Sequence, residues 1–133
     1  MNQHIAHITS VVEEYDEAIS SYTKKMGSEL IEDIKLDDKK RWMIIAPKGN
    51  GNCRLLLAKA KGKAQTTCIV NQTGGGVFLF QNTDNFWIDF KNMKKKGVQF
   101  NEDPREEPYG TVAVFQDLYD NLWDLIQPKK IAR

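Results

Sequence analysis

The strongest constraint on this chain is an internal repeat of element pattern. From Ile5 to Val12 the residues alternate, with Ala6, Ile8, Ser10 and Val12 on one side and His7, Thr9 and Val11 on the other, as in a half-buried strand. Tyr15, Ala18, Ile19, Tyr22 and Met26 then recur at helical spacing, Lys24 and Lys25 suit the helix's negative end, and Gly27 is placed for a left-handed cap. The second half repeats the order: strand-like Val77 to Gln81, then the stripe Phe86, Trp87, Phe90 and Met93, closed by Lys94-Lys95-Lys96-Gly97. Asp16 and Asp84, Ala18 and Phe86, and Tyr22 and Phe90 are each 68 positions apart, and Gly27 and Gly97 are 70 apart, which predicts a longer second helix. Trp87 and Trp123 read as core, and Trp42 falls on the opposite strand face from Arg41.

Three strand-like runs follow each helix: Leu30 to Leu36, Trp42 to Ala46 and Arg54 to Ala58, then Val98 to Asn101, Thr111 to Gln116 and Leu122 to Gln127. A turn over Lys48-Gly49-Asn50-Gly51-Asn52, a loop bounded by Pro104 and Pro108, and a loop at Asp117 to Asn121 separate them. The expected fold class is α+β. Two βαβββ modules, one over about 4–60 and one over about 75–128, are joined by a linker at about 61–74 within a single domain, 1–133. A helix covers one face of a four-stranded sheet and leaves the other bare. Two such sheets side by side would curl their bare faces into a cup, with the helices outside, and a ligand would sit there.

Composition excludes several alternatives. The 19 Lys+Arg and 18 Asp+Glu nearly cancel, so no basic face for nucleic acid is expected, and the Lys94-Lys95-Lys96 run reads as a solvated helix end. No apolar run approaches the roughly 20 residues that span a bilayer, and the polar start Met1-Asn2-Gln3-His4 carries no signal-peptide pattern, so a cytoplasmic location without membrane partners is expected. Cys53 and Cys68 read as free thiols. Gln72-Thr73-Gly74-Gly75-Gly76 precedes a strand rather than opening a helix, so phosphate-loop logic does not apply to it.

The spacing of His7-Ile8, Asp16-Glu17-Ala18-Ile19, Tyr22 and Gly27, followed by Asp117-Leu118-Tyr119-Asp120-Asn121-Leu122-Trp123-Asp124-Leu125, resembles the vicinal oxygen chelate superfamily of glyoxalases, bleomycin-resistance proteins and extradiol dioxygenases. The resemblance runs from about Ile5 to Gln127. It implies a cup, commonly a homodimer, and in metal-dependent members one divalent ion (Zn, Ni, Fe or Mn) held by the first and last strands of each module. Carried over by position, those ligands fall on His7, Leu56, Gly75 or Gly76, and Asp124. Leu and Gly have no donor side chain, so the implied set is reduced to His7 and Asp124, whereas open catalytic sites use three protein ligands.

The candidate catalytic residues are therefore His7 and Asp124, which are also the candidate metal ligands. Arg41, Arg54, Gln72 and Tyr109 are candidates for ligand binding. Arg54 shares a strand face with Leu56 and could take a carboxylate or phosphate in bidentate fashion. Arg41 and Tyr109, 68 apart, are expected at the cup rim, and Gly110 would allow close backbone approach. The expected function is binding or transformation of a small, anionic organic molecule without the full metal set. The alternatives are a divalent-metal-dependent lyase or dioxygenase using His7 and Asp124, and an antibiotic-sequestering resistance protein.

Overall fold

A computed structural model describes residues 1–49 and 53–129; Asn50, Gly51 and Asn52 of the expected turn lie outside the described residues. The chain divides into two compact units, Met1–Gln72 and Thr73–Arg133. The first contains β1 (His7–Val12), α1 (Tyr15–Lys24), β2 (Glu29–Lys35), β3 (Arg41–Ala46), β4 (Arg54–Lys59) and α2 (Gly62–Cys68). The second contains β5 (Val77–Asn82), α3 (Phe86–Lys95), β6 (Gln99–Phe100), β7 (Arg105–Glu107), β8 (Gly110–Gln116) and β9 (Leu122–Pro128). The fold is α+β, as the repeat predicts.

In the first unit the sheet order is β1-β4-β3-β2, with β1 parallel to β4 and the remaining pairs antiparallel. Tyr15, Ala18 and Tyr22 of α1 are buried, as are Val12, Met43, Ile45, Leu55 and Leu57 on the strands. The helix ends at Gly27, whose φ of 78° is the left-handed conformation that glycine adopts without penalty, and Ser28 N–H donates to Tyr22 C=O at 2.9 Å. The residues expected as a linker form α2 instead. Gln72 then fastens its end to β1: its amide Nε2 donates to Val11 C=O at 2.7 Å and its Oε1 accepts Val11 N–H at 3.4 Å.

In the second unit the order is β5-β9-β8-β6, with β7 also on β8, so the second strand of the repeat is split into two short pieces. The segment between the prolines, read from sequence as loop, supplies β7. Pro104 and Pro108 flank the strand, where a missing N–H costs no ladder bond. Glu102 bridges the interruption, its Oε1 accepting Val114 N–H at 3.2 Å in place of a strand carbonyl.

The helices are equal in length, ten residues each, and start 71 positions apart, at Tyr15 and Phe86, not 68. The aromatic run Phe86-Trp87-Phe90 misleads the alignment: Trp87 is half exposed, whereas Phe86 and Met93 are buried in the way Tyr15 and Tyr22 are. The core beneath α3 is a chain of ring contacts, Phe86–Phe90 at 5.7 Å, Phe90–Phe100 at 4.6 Å, Phe100–Phe115 at 5.5 Å and Phe115–Trp123 at 5.6 Å. Such pairs add roughly 0.5–1.5 kcal/mol each beyond their buried area. Asp117, buried in the β8–β9 turn, accepts Tyr119 N–H, Asn121 N–H and the Trp123 indole N–H at 2.9 to 3.1 Å, tying that turn to the core.

Candidate functional site

Strand pairing decides which side chains share a face. In the first sheet, His7 is opposite Arg54, Thr9 opposite Leu56, and Ile44 opposite Leu56. With Trp42 two residues from Ile44, these side chains occupy the face away from α1. His7 is exposed and meets the Trp42 ring edge-on at 6.0 Å. The Trp42 indole N–H is held at 2.5 Å by Glu32 of the neighbouring strand. Arg54 is half-buried. Of the three arginines among the described residues, Arg41 and Arg105 are each engaged by two carboxylates, whereas Arg54 has no described carboxylate partner.

Arg41 lies on the helix side of the same sheet, not with His7. Its Nε and Nη2 grip both oxygens of Asp33 at 3.0 and 2.6 Å, and Nη1 reaches Asp16 of α1 at 2.8 Å. The guanidinium also lies 5.3 Å from the Tyr15 ring centroid. Hydrogen bonds donated to Asp33 and then Asp16 raise its pKa further, and the Arg41 hydrogen bond holds Asp33 below the usual carboxylate range. The rim position expected from alignment with Tyr109 is not met: Trp42 takes the His7 face, so its neighbour Arg41 takes the helix face. A groove of about 380 Å³ at this point is lined by Glu14, Asp16, Asp37 and Asp38 against Lys35, Lys39, Arg41 and Lys59, so opposite charges balance in it. Gln72 is likewise occupied, its amide taken by the Val11 backbone.

On the second sheet, Asp124 is opposite Phe80 on β5 and Val114 on β8. Its neighbours Trp123 and Leu125 point to the core under α3, so Asp124 occupies the face away from that helix. It is 6% exposed, and its Oδ1 has no hydrogen-bond partner. Burial pushes its carboxyl pKa upward, with the Arg105 charge acting in the opposite direction. Arg105 stands opposite Val112, on the Asp124 face. Even so, its Nε donates to Glu107 at 2.9 Å and its Nη1 pairs with Glu102. Tyr109 is half exposed at the β7–β8 turn, with its hydroxyl in reach of Arg105. Gly110 does permit close backbone approach, but by β9: a Cβ there would lie 2.3 Å from the Gln127 carbonyl oxygen.

The sequence reading missed Arg105, Glu102 and Glu32. Arg105 and Glu107, two apart, carry the alternation of a strand face, a signal hidden by the flanking prolines. The candidates are thus divided between the units: His7 and Arg54 come together on the first sheet, Asp124 and Tyr109 belong to the second, and Arg41 and Gln72 are fastened into the first unit's framework.

The donors do not fit the metal implied by resemblance. Leu56, on the His7 face, and Gly75 or Gly76, ahead of β5, offer no donor where two ligands are implied. Among the described residues no three His, Cys, Asp or Glu side chains gather closely enough to hold an ion.

Fold and faces together define the class, a duplicated βαβββ protein whose unassigned chemistry lies on the sheet faces away from its helices. The model of the Glyoxalase/Bleomycin resistance protein/Dioxygenase superfamily matches residues 4–125, and the chain belongs to that superfamily. A protein of Shewanella frigidimarina is 51% identical over 96% of this chain and 95% of its own length. Among solved structures, UcmS2 is 26% identical with a TM-score of 0.80, covering 95% of this chain and 98% of that one. TnmS3, an antibiotic binding protein from Streptomyces sp. CB03234, is 25% identical with a TM-score of 0.76, covering 96% and 98%. No helix among the described residues is long and apolar enough to cross a membrane.

Proposed function

We propose that this protein binds a small organic acid on the first sheet, with Arg54 taking the acid group and His7 beside it. The observation that carries this reading is Arg54 itself: a half-buried guanidinium registered against His7, with no described carboxylate to neutralise it. A planar guanidinium presents two parallel N–H donors to a carboxylate or phosphate, which fixes orientation as well as charge. His7 can add a hydrogen bond. In this reading the protein is a cytoplasmic homodimer without a resident metal. Size-exclusion chromatography with light scattering gives twice 15.3 kDa, and adding Zn, Ni, Mn or Fe leaves the melting temperature unchanged, because a ligand bound to the native state alone would raise it.

Calorimetric titration with a panel of aromatic and aliphatic carboxylates tests the acid site. Arg54→Gln weakens binding about tenfold or more, the worth of one charge-assisted contact, and Arg54→Lys retains part of it. Equal binding by wild type and Arg54→Gln defeats the proposal. The likeness to TnmS3 supports a second reading, sequestration of a drug-sized molecule on these faces. Its test is survival: cells overproducing the protein tolerate an antibiotic that kills control cells, and they lose that protection with Arg54→Gln.

A further inference from the structure

The second sheet presents a different charge problem. Glu102, Glu107 and Asp124 are three carboxylates served by one guanidinium, Arg105, leaving a formal excess of two negative charges. Arg105 is near enough to act on Asp124, yet Glu102 and Glu107 occupy its Nη1 and Nε. Glu102 is itself fixed by accepting the Val114 N–H, so the arrangement that diverts Arg105 is built into the β6–β7 interruption. Asp124 Oδ1 is left buried without a donor. A buried acceptor without a partner is costly, and that cost is recovered when a donor arrives.

Beside Asp124 on the same face, in direct register, is Phe80, 64% exposed although it is a large aromatic side chain. An acceptor lacking a donor, an uncompensated negative charge and an exposed aromatic ring thus occur together. We propose that this face is a binding site for an organic amine carried on an apolar or aromatic body, with the ammonium donating to Asp124 Oδ1 and the apolar part lying on Phe80. Glu102 and Glu107 supply the long-range attraction while remaining on Arg105. A divalent ion is a poorer occupant, since no three of the described carboxylate, imidazole or thiol groups converge. The proposal uses the second unit alone and is independent of the acid site at Arg54.

The test is a titration of the full-length protein followed by amide chemical shifts, with benzylamine, benzyl alcohol, benzoate and Zn²⁺ as separate probes. Benzylamine should move the Phe80, Val114 and Asp124 amides, and benzyl alcohol should do so at least about tenfold more weakly, the loss expected for a charge-assisted hydrogen bond. Asp124→Asn should weaken benzylamine by a similar factor. Arg105→Gln should tighten it about fivefold, because removing a nearby positive charge deepens the negative potential; a purely structural role for Arg105 would instead weaken it. The proposal is overturned if benzylamine moves none of these amides at millimolar concentration, if Asp124→Asn binds it as well as wild type, if Arg105→Gln weakens it, or if Zn²⁺ occupies the face and benzylamine cannot.

Discussion

Two aspartates seven positions apart show how little residue type says about role. Asp117 is buried and accepts three N–H donors, so its charge is matched by hydrogen bonds within its own turn. Asp124 is buried to the same degree, with one oxygen that receives none. Burial raises the Asp124 pKa, so ionising it opposes folding: the penalty is absent where the carboxyl is protonated in both folded and unfolded states and develops as pH rises from its ordinary value through the raised folded one. Asp124→Asn should therefore raise the melting temperature by a few degrees at pH 7, about 1 kcal/mol, and leave it unchanged near pH 3. Thermal unfolding of both proteins at the two pH values checks this. An equal shift at both would show that packing, not charge, is responsible.

At the scale of elements, Arg41 links three pieces that the chain keeps apart. Its side chain joins β2 through Asp33 to α1 through Asp16 and Tyr15, and the Tyr15 hydroxyl accepts the Arg41 backbone N–H at 3.2 Å. Arg41→Ala should cost about 1 kcal/mol at neutral pH, at the upper end for a partly exposed bidentate pair. Because the Arg41 hydrogen bond lowers the Asp33 pKa, this stabilisation is fully present above the ordinary carboxylate value and is lost as pH falls through the lowered one. Urea unfolding of the two proteins should differ at pH 7 and converge at acid pH, once Asp33 is protonated in the folded state as well. The sequence located Arg41 at the start of its strand correctly but read it at the cup rim. Its neighbour Trp42 takes the His7 face, so alternation along β3 turns Arg41 to the helix side, where Asp16 of α1 meets it. The β7 strand was lost for a different reason. Pro104 and Pro108 are turn signals in sequence, yet a three-residue strand can form between them when Glu102 replaces the missing ladder partner.

For the whole molecule, the near-zero net charge has a direct consequence. With a formal charge of +1 at pH 7 and a sequence pI of about 7.7, net repulsion between copies is smallest just above neutrality. Static light scattering across pH 5–9 at low salt should show the strongest attraction between copies near pH 7.7, relieved on either side. A minimum displaced by more than about one pH unit would mean that a charged patch, rather than the total, governs association.

The repeat, the α+β class, the stripe of α1 and the superfamily resemblance were legible in the sequence, since they depend on periodicity and order along the chain. His7 and Arg54 were legible as candidates for the same reason: both lie at strand starts whose alternation is clear. What required the tertiary structure was every question of partnership. Arg41 and Arg105 are equally charged in sequence, yet Arg41 is held by Asp33 of β2 and Asp16 of α1, and Arg105 by the nearby Glu102 and by Glu107 of its own strand, while Arg54 is approached by no carboxylate among the described residues. Asp117 in its turn is brought three N–H donors, whereas Asp124 Oδ1 on β9 is brought none. Charge is a property of the residue, but its neutralisation depends on three-dimensional distance, and the positions that remain unsatisfied after folding are the ones left to bind something else.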